Sequence, residues 1–236
     1  VLDLEDVMDA KATLPSRVFK ELYLCIPSDD GGNPFGLNHI RACVQGEATD
    51  DTLHMGSGNP IVFGVDLAKS HDYTVIYGLD ENGDTAYFRR FQTSWGKTEQ
   101  RILEATQGMP TLIDSTGVGD PIVERLQEEA TNIEGFKFTS QSKQQIMEGL
   151  EFALQKRKLT IPAGVVQDEL EQFEFVHSRQ GVKYSAPEGY HDDCVCALAL
   201  AEKLFPEASA ANKIGISPSQ QSYVERILNS RDEPEW

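Results

Sequence analysis

The chain has 236 residues, 39% of them hydrophobic and 11 of them Phe, and a formal net charge of −17. That length suits one α/β domain with appendages or two small domains, and no apolar run approaches the roughly 18 residues of a membrane span. The charge counts against a protein that grips nucleic acid unaided, since such surfaces are usually basic; the four cysteines form no C-x-x-C, which counts against structural zinc or a disulfide framework.

The opening residues, VLDLEDVMDAK, lack an initiator Met and a basic-then-apolar leader, and read as part of a longer chain. Residues 1–58 are expected to be a lead-in segment without a core of its own. SDDGGNPFG and GEATDDTLHMGSGNP carry the Gly, Asp, Asn and Pro of loops, and SRVFKELYLCI and LNHIRACV have helical character. The core domain is expected over 59–205. IVFGVDL reads as a buried strand ending in Asp66. TVIYGLD and TAYFRRF follow, joined across Asn82-Gly83, a hairpin signal.

TEQRILEATQ is predicted helical, with Thr98 as a cap, and PTLIDS is a short strand ending in Asp114. DPIVERLQEEA is a helix with Asp120 as N-cap and Pro121 at the first helical position. FKFTS is strand-like. SKQQIMEGLEFALQKRK places Ile146, Leu150, Ala153 and Leu154 on one helical face. VVQDELEQFEFV is predicted as a second helix, GVKYSAP as a strand, and HDDCVCALALAEKLF as an apolar helix packed in the core. Residues 206–236 form a polar tail with one weak helix around YVERILN. This order predicts an α/β fold: a mixed sheet, an antiparallel three-strand meander plus strands that alternate with helices, flanked by helices.

Three acidic points fall where an apolar strand ends or a helix begins: Asp66, Asp114 and the pair Asp192-Asp193. Converging carboxylates repel one another unless a cation joins them, and hard cations such as Mg²⁺ and Mn²⁺ take oxygen ligands. Each acid also has a plain structural use. Asp66 and Asp114 can cap turns, and an acid at a helix start is favoured by the helix dipole. Successive helical side chains diverge by about 100°, so Asp193 is favoured as the ligand, with Asp192 serving a second ion or the cap. Asp72, Lys69, His191 and Lys183 are accessory candidates. Lys137, Lys143, Lys156-Arg157-Lys158 and Arg179 are candidate phosphate contacts. The turn Ser115-Thr116-Gly117-Val118-Gly119 follows Asp114, but the chain has no G-x-x-x-x-G-K-[ST] phosphate loop.

In order, GVDLAKSHDYTVI, LIDSTGVGDP and GYHDDCVCALALA resemble the nuclease domain of tailed-phage large terminase subunits, the DNA-packaging motors. FKELYLCIPSDDGGNPFGLNHIRACV is similar to the stretch that joins their ATPase domain to the nuclease. The resemblance covers roughly residues 17 to 205. It implies an RNase H-like fold and a hydrolase, an endonuclease that cuts double-stranded concatemeric viral DNA during genome packaging. Carried over by motif, Asp66, Asp114 and Asp193 would be catalytic metal ligands, with Asp192 accessory. Two divalent cations, Mg²⁺ or Mn²⁺, would serve two-metal-ion phosphodiester hydrolysis, with Asp66 as the residue to bridge both. The implied partners are double-stranded DNA, an ATPase domain in the same full-length chain, the small terminase subunit and the portal, in the host bacterial cytoplasm and with no membrane.

Three other readings fit parts of the pattern. Another RNase H-like nuclease, such as a Holliday-junction resolvase, would use similar carboxylates on branched DNA. An actin-like nucleotide-binding domain shares the meander and a first-strand Asp, but needs Gly-rich adenosine loops and a second related domain. A docking module without catalysis would use the acids as caps.

Overall fold

The computed structural model describes residues 3–14, 16–26, 32–48, 54–55, 58–67, 72–178 and 181–213. In chain order the elements are α1 (Leu4–Thr13), α2 (Ser16–Leu24), α3 (Leu37–Ala42), β1 (Val44–Ala48), β2 (His54–Met55), β3 (Val62–Asp66), β4 (Thr74–Leu79) and β5 (Thr85–Phe91). Then come α4 (Trp95–Thr106), β6 (Thr111–Asp114), a 3₁₀ turn at Gly117–Gly119, α5 (Asp120–Glu129), β7 (Ile133–Phe136) and α6 (Ser140–Gln155). The last are β8 (Ile161–Gly164), α7 (Val165–Gln172), β9 (Glu174–Ser178), β10 (Gly181–Ser185) and α8 (Asp193–Lys213).

The main sheet has six strands in the order β2-β5-β4-β3-β6-β7. β3, β4 and β5 form the expected antiparallel meander, and β6 and β7 run parallel to β3. The central strands read as continuous apolar runs because helices cover both faces. One face carries α6, α7 and α8 over Val62, Val75, Tyr77, Leu79 and Leu112. The other carries Ile102 of α4 and Ile122, Val123 and Leu126 of α5 against Phe63, Val65, Ile76 and Ile113.

α8 is apolar all round because it is buried all round: every residue from Cys194 to Ala201 is inaccessible or nearly so. Its approach to the sheet depends on Gly64. A Cβ there would lie 2.0 Å from the Ala197 carbonyl oxygen and 2.4 Å from the Ala201 nitrogen. The paired absence of bulk, glycine below and alanines above, lets the helix lie directly on β3.

Several elements differ from the sequence expectation. Residues 33–48 share the main core, with Phe35, Ile40 and Cys43 buried and β1 paired in parallel with β8. Asn33 fixes this segment: its Nδ2 donates to the carbonyls of Leu170, Glu171 and Phe173 at the end of α7, and its Oδ1 accepts from Phe35 and Gly36. The helix expected to run through VVQDELEQFEFV stops at Gln172, and Glu174–Ser178 turns into a strand paired with β10 as a separate two-stranded sheet. The strand placed at FKFTS lies earlier, at Ile133–Phe136. Thr98 lies within α4, whose N-cap is Ser94, and Asp120 opens α5 after a Gly119 cap.

α8 continues through Pro206 to Lys213, where the sequence placed its end at Phe205. Ala208 and Ser209 are buried, and the Ser209 hydroxyl donates to the Glu81 carbonyl at 3.3 Å. Those anchors hold the helix beyond the hydrogen bond that proline removes. The tail helix expected around YVERILN lies outside the described residues. Among the described residues, no helix is long and apolar enough to cross a membrane.

Candidate metal centre

Strand alternation and register bring the first two acids together. Along β3, Val62 faces the α8 layer, Phe63 the α4–α5 layer, Gly64 α8 again and Val65 α4–α5; period two then turns Asp66 toward α8. Along β6, Leu112 and Ile113 alternate in the same sense, which turns Asp114 to the same side. β3 and β6 are parallel with Val65 paired to Ile113, so Asp66 and Asp114 end neighbouring strands about 4.8 Å apart. α8 crosses that face with Asp193 in its first turn, near enough for its charge to act on Asp66; among the described residues, however, the ligand atoms that lie within 4.8 Å of one another are those of Asp72, His191 and Asp193, not those of Asp66, Asp114 and Asp193.

The electrostatics record the convergence. Burial pushes the Asp66 carboxyl well above its ordinary range, and the like charges of Asp193, Asp114 and Asp192 push it further, against Lys143. Asp193 is pushed up to about 6, by burial first and by Asp72; the Tyr73 N–H, His191 and Arg90 pull the other way. Asp114 is buried, and its Oδ1 accepts from the Thr116 N–H at 2.8 Å. The glycines after it shape the turn. A Cβ on Gly119 would lie 2.5 Å from the Asp114 carbonyl oxygen, so this position is closed against the end of β6.

Asp192 and Asp193 have different surroundings. The Asp193 side chain is 7% exposed and accepts the Tyr73 N–H at 3.2 Å. Asp192 is 29% exposed and pairs with the Lys143 ammonium at 2.8 Å. Lys143 stands in the first turn of α6, where Thr139 and Ser142 cap one another's backbone N–H groups. Burial alone would lower the Lys143 pKa, but Asp192 and Asp66 hold it above its usual range.

The accessory candidates separate. His191 Nδ1 lies 3.6 Å from both Asp72 Oδ1 and Asp193 Oδ2. Asp72, His191 and Asp193 each offer a ligand atom, all within 4.8 Å of one another. Lys183 is exposed on β10, in the smaller hairpin sheet. Lys69 and Arg179 lie outside the described residues. Among the other basic candidates, Lys137 pairs with Asp120 at 2.9 Å, and Lys156 and Lys158 lie against the Phe152 ring.

Sequence reasoning missed three contributors. Tyr73 supplies the N–H to Asp193, and its ring meets His191 edge-on at 5.6 Å. Arg90 is buried, with its guanidinium 3.5 Å above the Tyr73 ring and Nη2 3.5 Å from Glu169 Oε1. Glu169 is buried too, and its Oε2 accepts the Cys194 N–H at 2.7 Å. Its carboxyl is pushed up to about 7 by burial, against the Cys194 N–H and Arg90. A signal existed for both. Two consecutive arginines in a buried strand send one side chain to each face, and Glu169 sits among Val166, Leu170 and Phe173 on the core side of its helix.

No protein-family model matches the chain, and no curated protein does. Solved structures do. The large terminase nuclease of the thermophilic phage G20c, with bound magnesium, aligns at a TM-score of 0.62 with 24% identity, over 73% of this chain and 97% of that one. The large terminase nuclease domain of Thermus phage P74-26 aligns at 0.61 with 22% identity, over 72% and 94%. The HK97 bacteriophage large terminase aligns at 0.51 with 14% identity, over 85% of this chain and 50% of that one. The chain therefore has the RNase H-like fold of large terminase nuclease domains, the group its motifs resemble.

Proposed function

We propose that this chain is the nuclease part of a phage DNA-packaging motor, a divalent-metal-dependent endonuclease that cuts double-stranded concatemeric viral DNA in the host bacterial cytoplasm. The observation that carries this reading is a set of three buried or half-buried carboxylates turned to one face of the sheet. Asp66 and Asp114 leave adjacent parallel strands on the face that α8 covers, and Asp193, in the first turn of that helix, lies near enough for its charge to act on Asp66. Burial first, and then the like charges of Asp193, Asp114 and Asp192, raise Asp66, and a bound cation would offset both.

The donor set fits a hard divalent ion. It is carboxylate-rich, with one imidazole at its edge and no thiolate exposed to it, since the thiols of Cys194 and Cys196 are buried and pushed up. Asp66, Asp114 and Asp193 would hold two such ions, Mg²⁺ or Mn²⁺, with Asp72 and His191 offering ligand atoms beside Asp193 and Asp192 accessory. Such ions, when bound, supply an activated water and stabilise charge on the phosphate. The chain's own contribution is placement. The core strand β3 holds Asp66 at the centre, the Tyr73 N–H orients Asp193, and Lys143 neutralises Asp192. The resemblance implies 5′ phosphate and 3′ hydroxyl ends.

Recognition through phosphate alone carries little sequence preference. With a net charge of −17 the isolated chain should bind DNA weakly and with steep salt dependence. The grip would come from the ATPase domain of the full-length chain, the small terminase subunit and the portal. The purified chain is expected to nick and linearise plasmid in Mn²⁺ or Mg²⁺, and EDTA and Asp66→Asn are each expected to stop it. Full activity in Asp66→Asn protein would remove the assignment. Preference for four-way over linear DNA would move it to the resolvase reading.

A further inference from the structure

The Arg90–Glu169 pair lies behind the cluster, and its contacts run to both segments that carry the Asp72, His191 and Asp193 ligand atoms. Arg90 is on β5, opposite Val75 of β4, so it stands beside the entry to β4 where Asp72 and Tyr73 lie. Its guanidinium covers the Tyr73 ring at 3.5 Å. Glu169 is on α7, and its Oε2 accepts the N–H of Cys194, the residue after Asp193. Tyr73 closes the circuit, with its N–H on Asp193 Oδ2 and its ring edge against His191. A strand, a loop and two helices are thus tied through one buried ion pair.

A buried ion pair such as this one is weak evidence of stabilisation. Its side chains are 5% and 7% exposed, and the ion contact is 3.5 Å long. Glu169 Oε1 makes no hydrogen bond among the described residues. Burying two charges often does not repay their desolvation relative to apolar side chains of similar volume. What the charges do supply is direction. The carboxylate fixes the first turn of α8 through a backbone N–H, and the planar guanidinium fixes the Tyr73 ring by stacking, which an ammonium cannot reproduce.

We propose that Arg90 and Glu169 are positioning residues that set the divalent-cation affinity of the Asp72–His191–Asp193 cluster, by holding the Tyr73 segment and the start of α8 in register. The inference rests on the reading of that cluster as a cation site. Partners that orient metal ligands typically change affinity by about 10–100-fold when removed.

The test is Mn²⁺ titration of the metal-free chain by calorimetry, with thermal denaturation of the same samples. Arg90→Met alone strands the Glu169 charge and is expected to unfold more readily. The informative variant is therefore Arg90→Met with Glu169→Gln, which removes both charges and keeps an acceptor for the Cys194 N–H. It is expected to melt within a few degrees of the parent and to bind Mn²⁺ at least about tenfold more weakly. Arg90→Lys with Glu169 intact keeps the charge without the stack, and is expected to fall between the two. A double variant that folds and binds Mn²⁺ as tightly as the parent overturns the inference, as does one whose affinity falls only in step with its melting temperature. Asp193→Asn is the control. If it leaves Mn²⁺ binding unchanged, the cation-site reading itself is lost; if it removes binding while the double variant does not, only the positioning role falls.

Discussion

Asp192 and Asp193 are neighbours at the start of α8, and their surroundings meet negative charge in different ways. On the Asp192 side the chain brings its own cation, Lys143, at 2.8 Å, clamped by the capped first turn of α6. On the Asp193 side the carboxylate is almost fully buried, receives one backbone N–H from Tyr73, and shares its surroundings with Asp72 and His191. One acid is paired within the chain; the other, on the proposed reading, would take a cation from solution. The difference teaches that identical residue types one position apart can meet quite different partners, because successive helical side chains diverge by about 100°.

Asp66 belongs to both sides, since Asp193, Asp192 and Lys143 all act on it. Its replacement gives the largest expected effect. Asp66→Asn should lower plasmid cleavage at least about a thousandfold, some 4 kcal/mol of barrier, read as initial rates in saturating Mn²⁺. Next comes pH. Asp193 has an ordinary value near 3.9 in the unfolded chain and about 6 in the folded one. Between those values the folded state holds the extra proton, so its contribution to stability is full below pH 4 and lost as pH rises through 6. The shift corresponds to at most about 3 kcal/mol. Asp66 and Glu169 shift in the same direction. Metal-free protein should therefore melt at lower temperature at pH 7 than at pH 5, and Mn²⁺ should abolish or reverse that slope.

Single substitutions at the pair sharpen the contrast. Asp193→Asn removes a carboxylate whose ionised form is unfavourable, so at pH 8 the metal-free variant should be more stable than the parent by up to about 2 kcal/mol, and Mn²⁺ should no longer stabilise it. Asp192→Asn takes away the partner of a part-buried ammonium and should be less stable by about 1 kcal/mol. Opposite signs, measured by urea denaturation of metal-free protein, support the division; equal signs break it.

Much of this was legible in the sequence. The meander followed from the apolar runs of Val62–Asp66, Thr74–Leu79 and Thr85–Phe91 around Asn82-Gly83, because a strand covered on both faces leaves a continuous apolar trace. The burial of α8 followed from its all-apolar turns. What lay beyond reach depended on contacts distant in sequence. Asn33 holds carbonyls of Leu170, Glu171 and Phe173, and nothing local marks Phe35 or Ile40 as core. The boundary at Gln172 was missed because FEFV continues an apolar pattern that suits a helix or a strand equally. Lys143 read as a surface phosphate contact; only the packing of α6 beside α8 turns it onto Asp192. Asp72 and His191 were visible as accessory residues, but their meeting with Asp193 depends on the entry to β4 lying beside the start of α8, which is distant in sequence.

The central claim, that the Asp66–Asp114–Asp193 region is built for a divalent cation, is tested most directly by soaking crystals of the chain in Mn²⁺ and recording anomalous scattering at the manganese edge. The account predicts an anomalous peak bounded by these carboxylates, with Lys143 still on Asp192. A well-ordered cluster with no peak at millimolar Mn²⁺ would contradict it.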